Sequence, residues 1–263
     1  MYELIIKKAK FMWPYPKVVA HRGAGILAPE NTLAAMQCGL DHGFHAVEFD
    51  VMLSKDGIPV LMHDPEFGRT VQGRGSVAQT LAADLLRMDA GKWFSPAYAG
   101  ETVPTYEMVA LFCQQYGIWM NVEIKPAPGF EAETGQAVAK LTRQLFNAAL
   151  PPNPSLMQAL PLFSSFSFDA LVSAKAEAPD IPRGFLADTI PPDWQQRLQQ
   201  LEAVALHTNH KKLTPALAEA VKQAGYGLFC YTVNQPQRAA EIMGWGVDAF
   251  CTDRIDLIDA RFA

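Results

Sequence analysis

A chain of 263 residues can hold one large domain or two small ones. Its 49% apolar and 19% charged residues are those of a globular protein with a sizeable core and exclude intrinsic disorder. The 27 acidic and 22 basic residues leave a net charge of −5, which disfavours nucleic acid as a partner.

In chain order, the first dozen residues carry Lys7, Lys8 and Lys10 after a short apolar patch, with no long apolar segment or cleavage site behind them. They read as a surface tail or an upstream start rather than a secretory signal, and a cytoplasmic location is expected. No run approaches the roughly 18 apolar residues that a membrane-spanning helix needs. Cys38, Cys113, Cys230 and Cys251 lack CxxC spacing and read as small core residues.

Short runs rich in Val, Ile, Leu and Phe then alternate with segments of helical period, the pattern of repeated β/α units and a parallel sheet. A strand over 17–21 precedes a helix over 31–42. Strands over 46–53 and 58–63 are joined by Ser54, Lys55, Asp56 and Gly57, too few for a crossover helix, so one of the two must break the repeat. Residues 65–104, with five glycines and little periodicity, read as an insertion. Beyond it the prediction alternates helix 105–116, strand 118–125, helix 131–149, strand 160–166, helix 168–178, strand 183–187 and helix 194–201. It closes with strand 203–207, helix 214–224, strand 227–233, helix 236–243 and strand 249–252. The fold class is therefore α/β: one TIM-type (β/α)8 barrel domain over residues 1–263 with a small insertion near 65–104, close to the roughly 250 residues such barrels take.

That architecture places chemistry at the C-terminal strand ends. His21 and Arg22, Glu48 and Asp50, His63 and Asp64, Glu123 and Lys125, His207, Asn234 and Asp253 all fall there. The runs VVAHRG, AVEFDV, VLMHD and NVEIKP embed charge in β-forming sequence, where an unpaired buried charge costs several kcal/mol. These charges must answer one another or a bound ion. Glu48 and Asp50 share one strand face, and with Glu123 they form a converging carboxylate triad. All-oxygen ligation suits one divalent cation, Mg²⁺ first and Mn²⁺ or Ca²⁺ as alternatives, over zinc; the competing reading pairs the carboxylates with Arg22 and Lys125. His21 and His63 can exchange protons near neutral pH as P–O bonds form and break. Arg22 and Lys125 can stabilise the negative charge that a phosphodiester gathers on its equatorial oxygens. Trp93 and Phe94 are assigned to the insertion's own small core rather than to a head-group pocket.

In this order, HRGAGILAPENT, AVEFDVMLSKDGIPVLMHD, NVEIKP, FSSF, YTVN and GVDAFCTD resemble the glycerophosphodiester phosphodiesterase family over nearly the whole chain. WPYP, LSKDG, NHK and VNQPQRAAE make the likeness strongest to bacterial cytosolic members. The resemblance implies metal-dependent hydrolysis of glycerophosphocholine, glycerophosphoethanolamine and their like to sn-glycerol 3-phosphate and an alcohol. It implies His21 and His63 as the acid/base pair, Glu48, Asp50 and Glu123 as metal ligands, and Arg22 and Lys125 on the phosphate. Glu30 and Asn31 would orient Arg22 or the substrate, Asn31 having a helix cap as its alternative role. His207 and Asn234 are placed at the barrel mouth and Asp253 would steer a base, each having a structural hydrogen bond as its alternative role. Water attack on a cyclic phosphate and direct attack by water both remain open, as do a monomer and a homodimer. Rival functions are a lysophospholipid phosphodiesterase, which would need a surface that admits acyl chains, and a non-catalytic phosphodiester-binding barrel, which the complete set of charged residues disfavours. A barrel that stabilises an enediolate on Mg²⁺ has no use for the HRG and HD motifs.

Overall fold

The computed structural model describes residues 11–146 and 160–262. Nine strands form one sheet: β1 Val18–Ala20, β2 Ala46–Leu53, β3 Pro59–Leu61, β4 Trp119–Ile124, β5 Leu162–Ser165, β6 Arg183–Ala187, β7 Ala205–Asn209, β8 Gly227–Tyr231 and β9 Ala249–Thr252. All but β3 run parallel, and β1 pairs with both β2 and β9, which closes the barrel. β3 is the strand that breaks the repeat: it folds back antiparallel on β2, with Val51 opposite Leu61. Ser54 makes that reversal, its hydroxyl accepting from the Ile58 amide at 2.9 Å, while Gly57 supplies the positive φ of 78°.

The described helices are α1 Leu33–Asp41, α2 Ala82–Leu85, α3 Tyr106–Gln115, α4 Glu131–Phe146, α5 Phe168–Glu177, α6 Trp194–Leu201, α7 Pro215–Gln223 and α8 Pro236–Gly244. Thr32, Thr105, Ser167 and Thr214 cap four of them through their hydroxyls, and proline opens α7 and α8. The predicted continuation of α4 to residue 149 and the amino-terminal tail over 1–10 lie outside the described residues. Every residue of β2 is buried, as both faces of a barrel strand are covered.

Apolar residues pack in three places. One layer fills the space between strands and helices. A second, with Val19, Ala46, Trp119, Leu162 and Phe229, fills the lower barrel. Tyr15 stacks on Trp119 at 4.4 Å and Trp13 packs on Phe229, so the WPYP segment plugs the amino-terminal end. The third, with Met52, Val60, Val71, Val77 and Leu85, lies where the 65–104 segment meets β2 and β3. Cys113, Cys230 and Cys251 are buried core thiols and Cys38 is partly buried.

Candidate active site

With the WPYP segment packed at the lower end, the carboxyl end of the barrel opens onto a cavity of about 190 Å³. It is lined by His21, Arg22, Glu48, Asp50, His63, Glu123 and Lys125.

β1 ends in a 3-10 turn in which Arg22 adopts φ 52° and Gly23 φ 98°. That sharp turn brings the Arg22 amide to 3.2 Å from Glu48 Oε2 and directs the His21 ring at the triad, Nε2 lying 3.7 Å from Glu48. His21 Nδ1 lies 2.5 Å from Asp253 Oδ1, at the end of β9. Asp253 is itself fixed: Asn234 Nδ2 donates to its Oδ2 at 2.8 Å, and its own amide donates to Asn234 Oδ1 at 2.8 Å. The β1–α1 loop rests on the same residue, since a Cβ on Gly25 (φ 55°) would stand 2.2 Å from the Asp253 backbone.

His63, beyond β3, has the same arrangement with a different partner, Nδ1 standing 2.7 Å from Asp64 Oδ1. A carboxylate can only accept, so each ring presents Nδ1–H to its aspartate and keeps Nε2 for the cavity. The two differ in charge preference. Burial opposes the charged form of His21, but the bond to Asp253 and the charge of Glu48 outweigh it and raise its pKa. His63 is lowered, by burial first, with Arg22 and Lys125 adding to it against Asp50.

Glu48, Asp50 and Glu123 converge with one oxygen from each lying within 4.8 Å of the others. Burial pushes Glu48 up to about 7 and Glu123 well above the carboxylate range. Asp50 goes the other way: burial is outweighed by Lys125, Arg22 and His63 and by the Asn31 amide. Its partners are Lys125 Nζ at 3.1 Å, Arg22 Nε at 3.5 Å and Asn31 Nδ2 at 2.9 Å. Close pairing with Lys and Arg side chains therefore accounts for Asp50, whereas Glu48 meets the Arg22 amide and the His21 ring. Among the described residues no hydrogen bond or ion pair reaches Glu123, and the Arg22 Nε donor is buried without a hydrogen bond. Three hard oxygen donors, two of them driven by burial towards protonation, fit a divalent cation that would hold all three as anions.

Asn31 differs from its expected helical place. With φ 60° it precedes the helix, Thr32 being the cap, and its amide serves Asp50 twice, from Nδ2 and by accepting the Asp50 amide at 3.1 Å. Glu30 accepts from Arg22 Nη1 at 2.8 Å. His207 lines the same cavity, but from beneath the mouth rather than at it. It is fully buried within the barrel, stacked 4.6 Å from Phe229 in room left by Gly184, and burial drops its pKa to about 3, so the ring is neutral. A β7 residue one pleat below the rim points to the axis, which motif order does not reveal. Asn234 reaches the site through Asp253.

Sequence reasoning assigned no task to Asp64, although HD adjacency displayed it, and it missed Arg69, which sits in an aperiodic loop. Arg69 donates to both oxygens of Glu30 at 2.7 Å and to Asp64 at 2.6 Å. Phe166 and Tyr231, ring centroids 5.7 Å apart, line the rim. Phe94 packs edge to face with both Trp93 and Tyr98, and Trp245 lies under Arg238.

Residues 21–257 match the model of the glycerophosphoryl diester phosphodiesterase family. The chain is 31% identical over 242 residues to a glycerophosphodiester phosphodiesterase of Caldanaerobacter subterraneus, covering 90% of this chain and 93% of that one. A phosphodiesterase of Oleispira antarctica, solved with its product sn-glycerol 3-phosphate, superposes with a TM-score of 0.82 at 39% identity, covering 90% and 93% of the chains. A glycerophosphodiester phosphodiesterase of Agrobacterium tumefaciens superposes with a TM-score of 0.75 at 27% identity, covering 92% and 98%. Among the described residues no helix is long and apolar enough to cross a membrane. The chain belongs to the glycerophosphoryl diester phosphodiesterase family, as an enzyme built on the β/α barrel.

Proposed function

We propose that the enzyme hydrolyses small glycerophosphodiesters, glycerophosphocholine and glycerophosphoethanolamine among them, to sn-glycerol 3-phosphate and an alcohol, in a cation-dependent reaction. The carrying observation is the pairing of two histidines, each locked through Nδ1 to its own aspartate, on one cavity with the acidic triad, Arg22 and Lys125.

Glu48, Asp50 and Glu123 would hold the cation, Mg²⁺ first and Mn²⁺ or Ca²⁺ as alternatives, and Asn31 and Lys125 hold Asp50 in place for it. When bound, such an ion lowers the pKa of a coordinated hydroxyl and neutralises phosphoryl charge. Arg22 and Lys125 bind the phosphate and stabilise the charge that gathers on its equatorial oxygens. One histidine takes the proton of the attacking hydroxyl at Nε2, while the other protonates the departing alcohol oxygen. The glycerol hydroxyl beside the phosphate is the attacking group in the preferred route. The product is then a cyclic phosphate, which water opens with the histidine roles reversed.

The test is release of glycerol 3-phosphate from glycerophosphocholine by purified protein, after chelation and after single add-back of Mg²⁺, Mn²⁺ or Ca²⁺. Turnover abolished by chelator and restored by one ion is the expected result. Full activity in the chelated enzyme would refute cation dependence, and activity confined to lysophospholipids would refute the substrate assignment.

A further inference from the structure

The two halves of the phosphate machinery come from separate parts of the chain. Arg22 lies in the turn after β1, whereas His63 follows β3. A five-member chain of charged side chains joins them. Arg22 Nη1 donates to Glu30 Oε1 at 2.8 Å, and Arg69 Nη2 donates to that same oxygen at 2.7 Å. Arg69 Nη1 reaches Glu30 Oε2 at 2.7 Å and its Nε reaches Asp64 Oδ2 at 2.6 Å. Asp64 then accepts from His63 Nδ1 at 2.7 Å. The planar guanidinium thus spends three donors on two carboxylates and fixes the angle between them, which a flexible ammonium cannot do.

Stability is a poor reason for this arrangement. The Arg69 side chain is 44% exposed, and ion pairs at such positions contribute little. The loop that carries it is already anchored by Val71 and Val77 in its own apolar cluster. What Arg69 does govern is orientation: Glu30 braces the guanidinium that faces the phosphate, and Asp64 sets the ring whose Nε2 faces the cavity. Both carboxylates are held below their usual range against the effect of burial, with Arg69 among the causes, so both remain acceptors across neutral pH.

We propose that Arg69 is a positioning residue that couples the aim of Arg22 to the orientation of His63, making the loop after β3 a working part of the site. This rests on the roles given to Arg22 and His63 above. Misplacement of a reacting group by about 1 Å costs up to about 10² in rate, so Arg69→Ala is expected to lower kcat by about 10- to 10²-fold with a smaller change in KM.

The test is a double-mutant cycle on glycerophosphocholine turnover with Arg69→Ala, Asp64→Asn and the pair, joined by Arg69→Lys and by added methylguanidinium. Because Arg69 also braces Glu30, adding Arg69→Ala to Asp64→Asn is expected to cost several-fold less than Arg69→Ala costs in the wild-type protein, without vanishing. Methylguanidinium restores part of the rate to Arg69→Ala but little to the pair, and Arg69→Lys stays well below wild type. Additive losses, or a normal kcat in a folded Arg69→Ala protein, would overturn the proposal. Should Arg69→Ala fail to fold, Arg69→Lys decides: wild-type kcat there overturns the coupling, and a reduced kcat at unchanged melting temperature supports it. Absence of glycerophosphodiester turnover in the wild-type protein would instead overturn the underlying reading, and it shows before any variant is made.

Discussion

Asp253→Asn reverses the tautomer of His21 with no change in side-chain shape. The substitution is isosteric, and Asn234 dictates how the new amide must sit. Asn234 Oδ1 accepts from the Asp253 amide at 2.8 Å and from Thr252 Oγ1 at 3.3 Å, so its Nδ2 is the group left to face position 253. The introduced amide must therefore turn its oxygen to Asn234 and its NH₂ to His21 Nδ1. That ring nitrogen becomes an acceptor and the proton moves to Nε2, the reverse of the present arrangement, in which Nδ1 donates across 2.5 Å. The variant also loses the carboxylate that favours the imidazolium. The same exchange behind the histidine of serine proteases costs about 10⁴ in kcat, and a site retaining a second histidine should lose about 10² to 10⁴, or about 3–5 kcal/mol. Steady-state turnover of glycerophosphocholine in the presence of a competent ion measures it, with a melting curve to show that the fold persists. A folded variant with kcat within about threefold of wild type would refute the role given to the His21–Asp253 pair.

His63→Ala is expected to cost about 10² or more in kcat at little cost in melting temperature, because the ring is partly exposed; equal turnover would remove it from the acid/base pair. Glu123→Gln should shift the metal titration of activity to much higher concentration and weaken calorimetric ion binding, and an unchanged titration would exclude Glu123 as a ligand. Gly184→Ala places a Cβ 2.4 Å from His207 Nε2 and should destabilise the barrel by about 1–3 kcal/mol, read in chemical denaturation. Glu30, Asp64 and Asp253 all have lowered folded-state values, through Arg69, Arg69 and His21 respectively acting against burial. Their stabilisation is thus fully present above the unfolded carboxylate pKa of about 4 and lost as pH falls through the folded values. Stability measured between neutrality and strong acid should drop in that window, and drop less in Arg69→Ala; identical acid profiles would contradict the linkage.

Much of this protein is legible residue by residue. The alternation of apolar runs and helical periods determines a β/α barrel because a strand covered on both faces must be apolar along its length. The charges that interrupt those runs at their carboxyl ends, His21, Glu48, Asp50 and Glu123, therefore mark the site without reference to any partner. Ser54 to Gly57 likewise determines a reversal, since four residues cannot carry a crossover. Local sequence does not contain what each charge faces. Only the closed barrel brings Asp253 to His21 across 232 positions, tucks His207 beneath the rim, and turns Asn31 away from a helix cap to serve Asp50. Arg69 shows the limit most clearly: it lies in a loop with no period, and its meaning rests on two carboxylates that reach it from separate segments of the chain. Period and composition are local properties of a chain, whereas the pairing of charges is settled by closure in space.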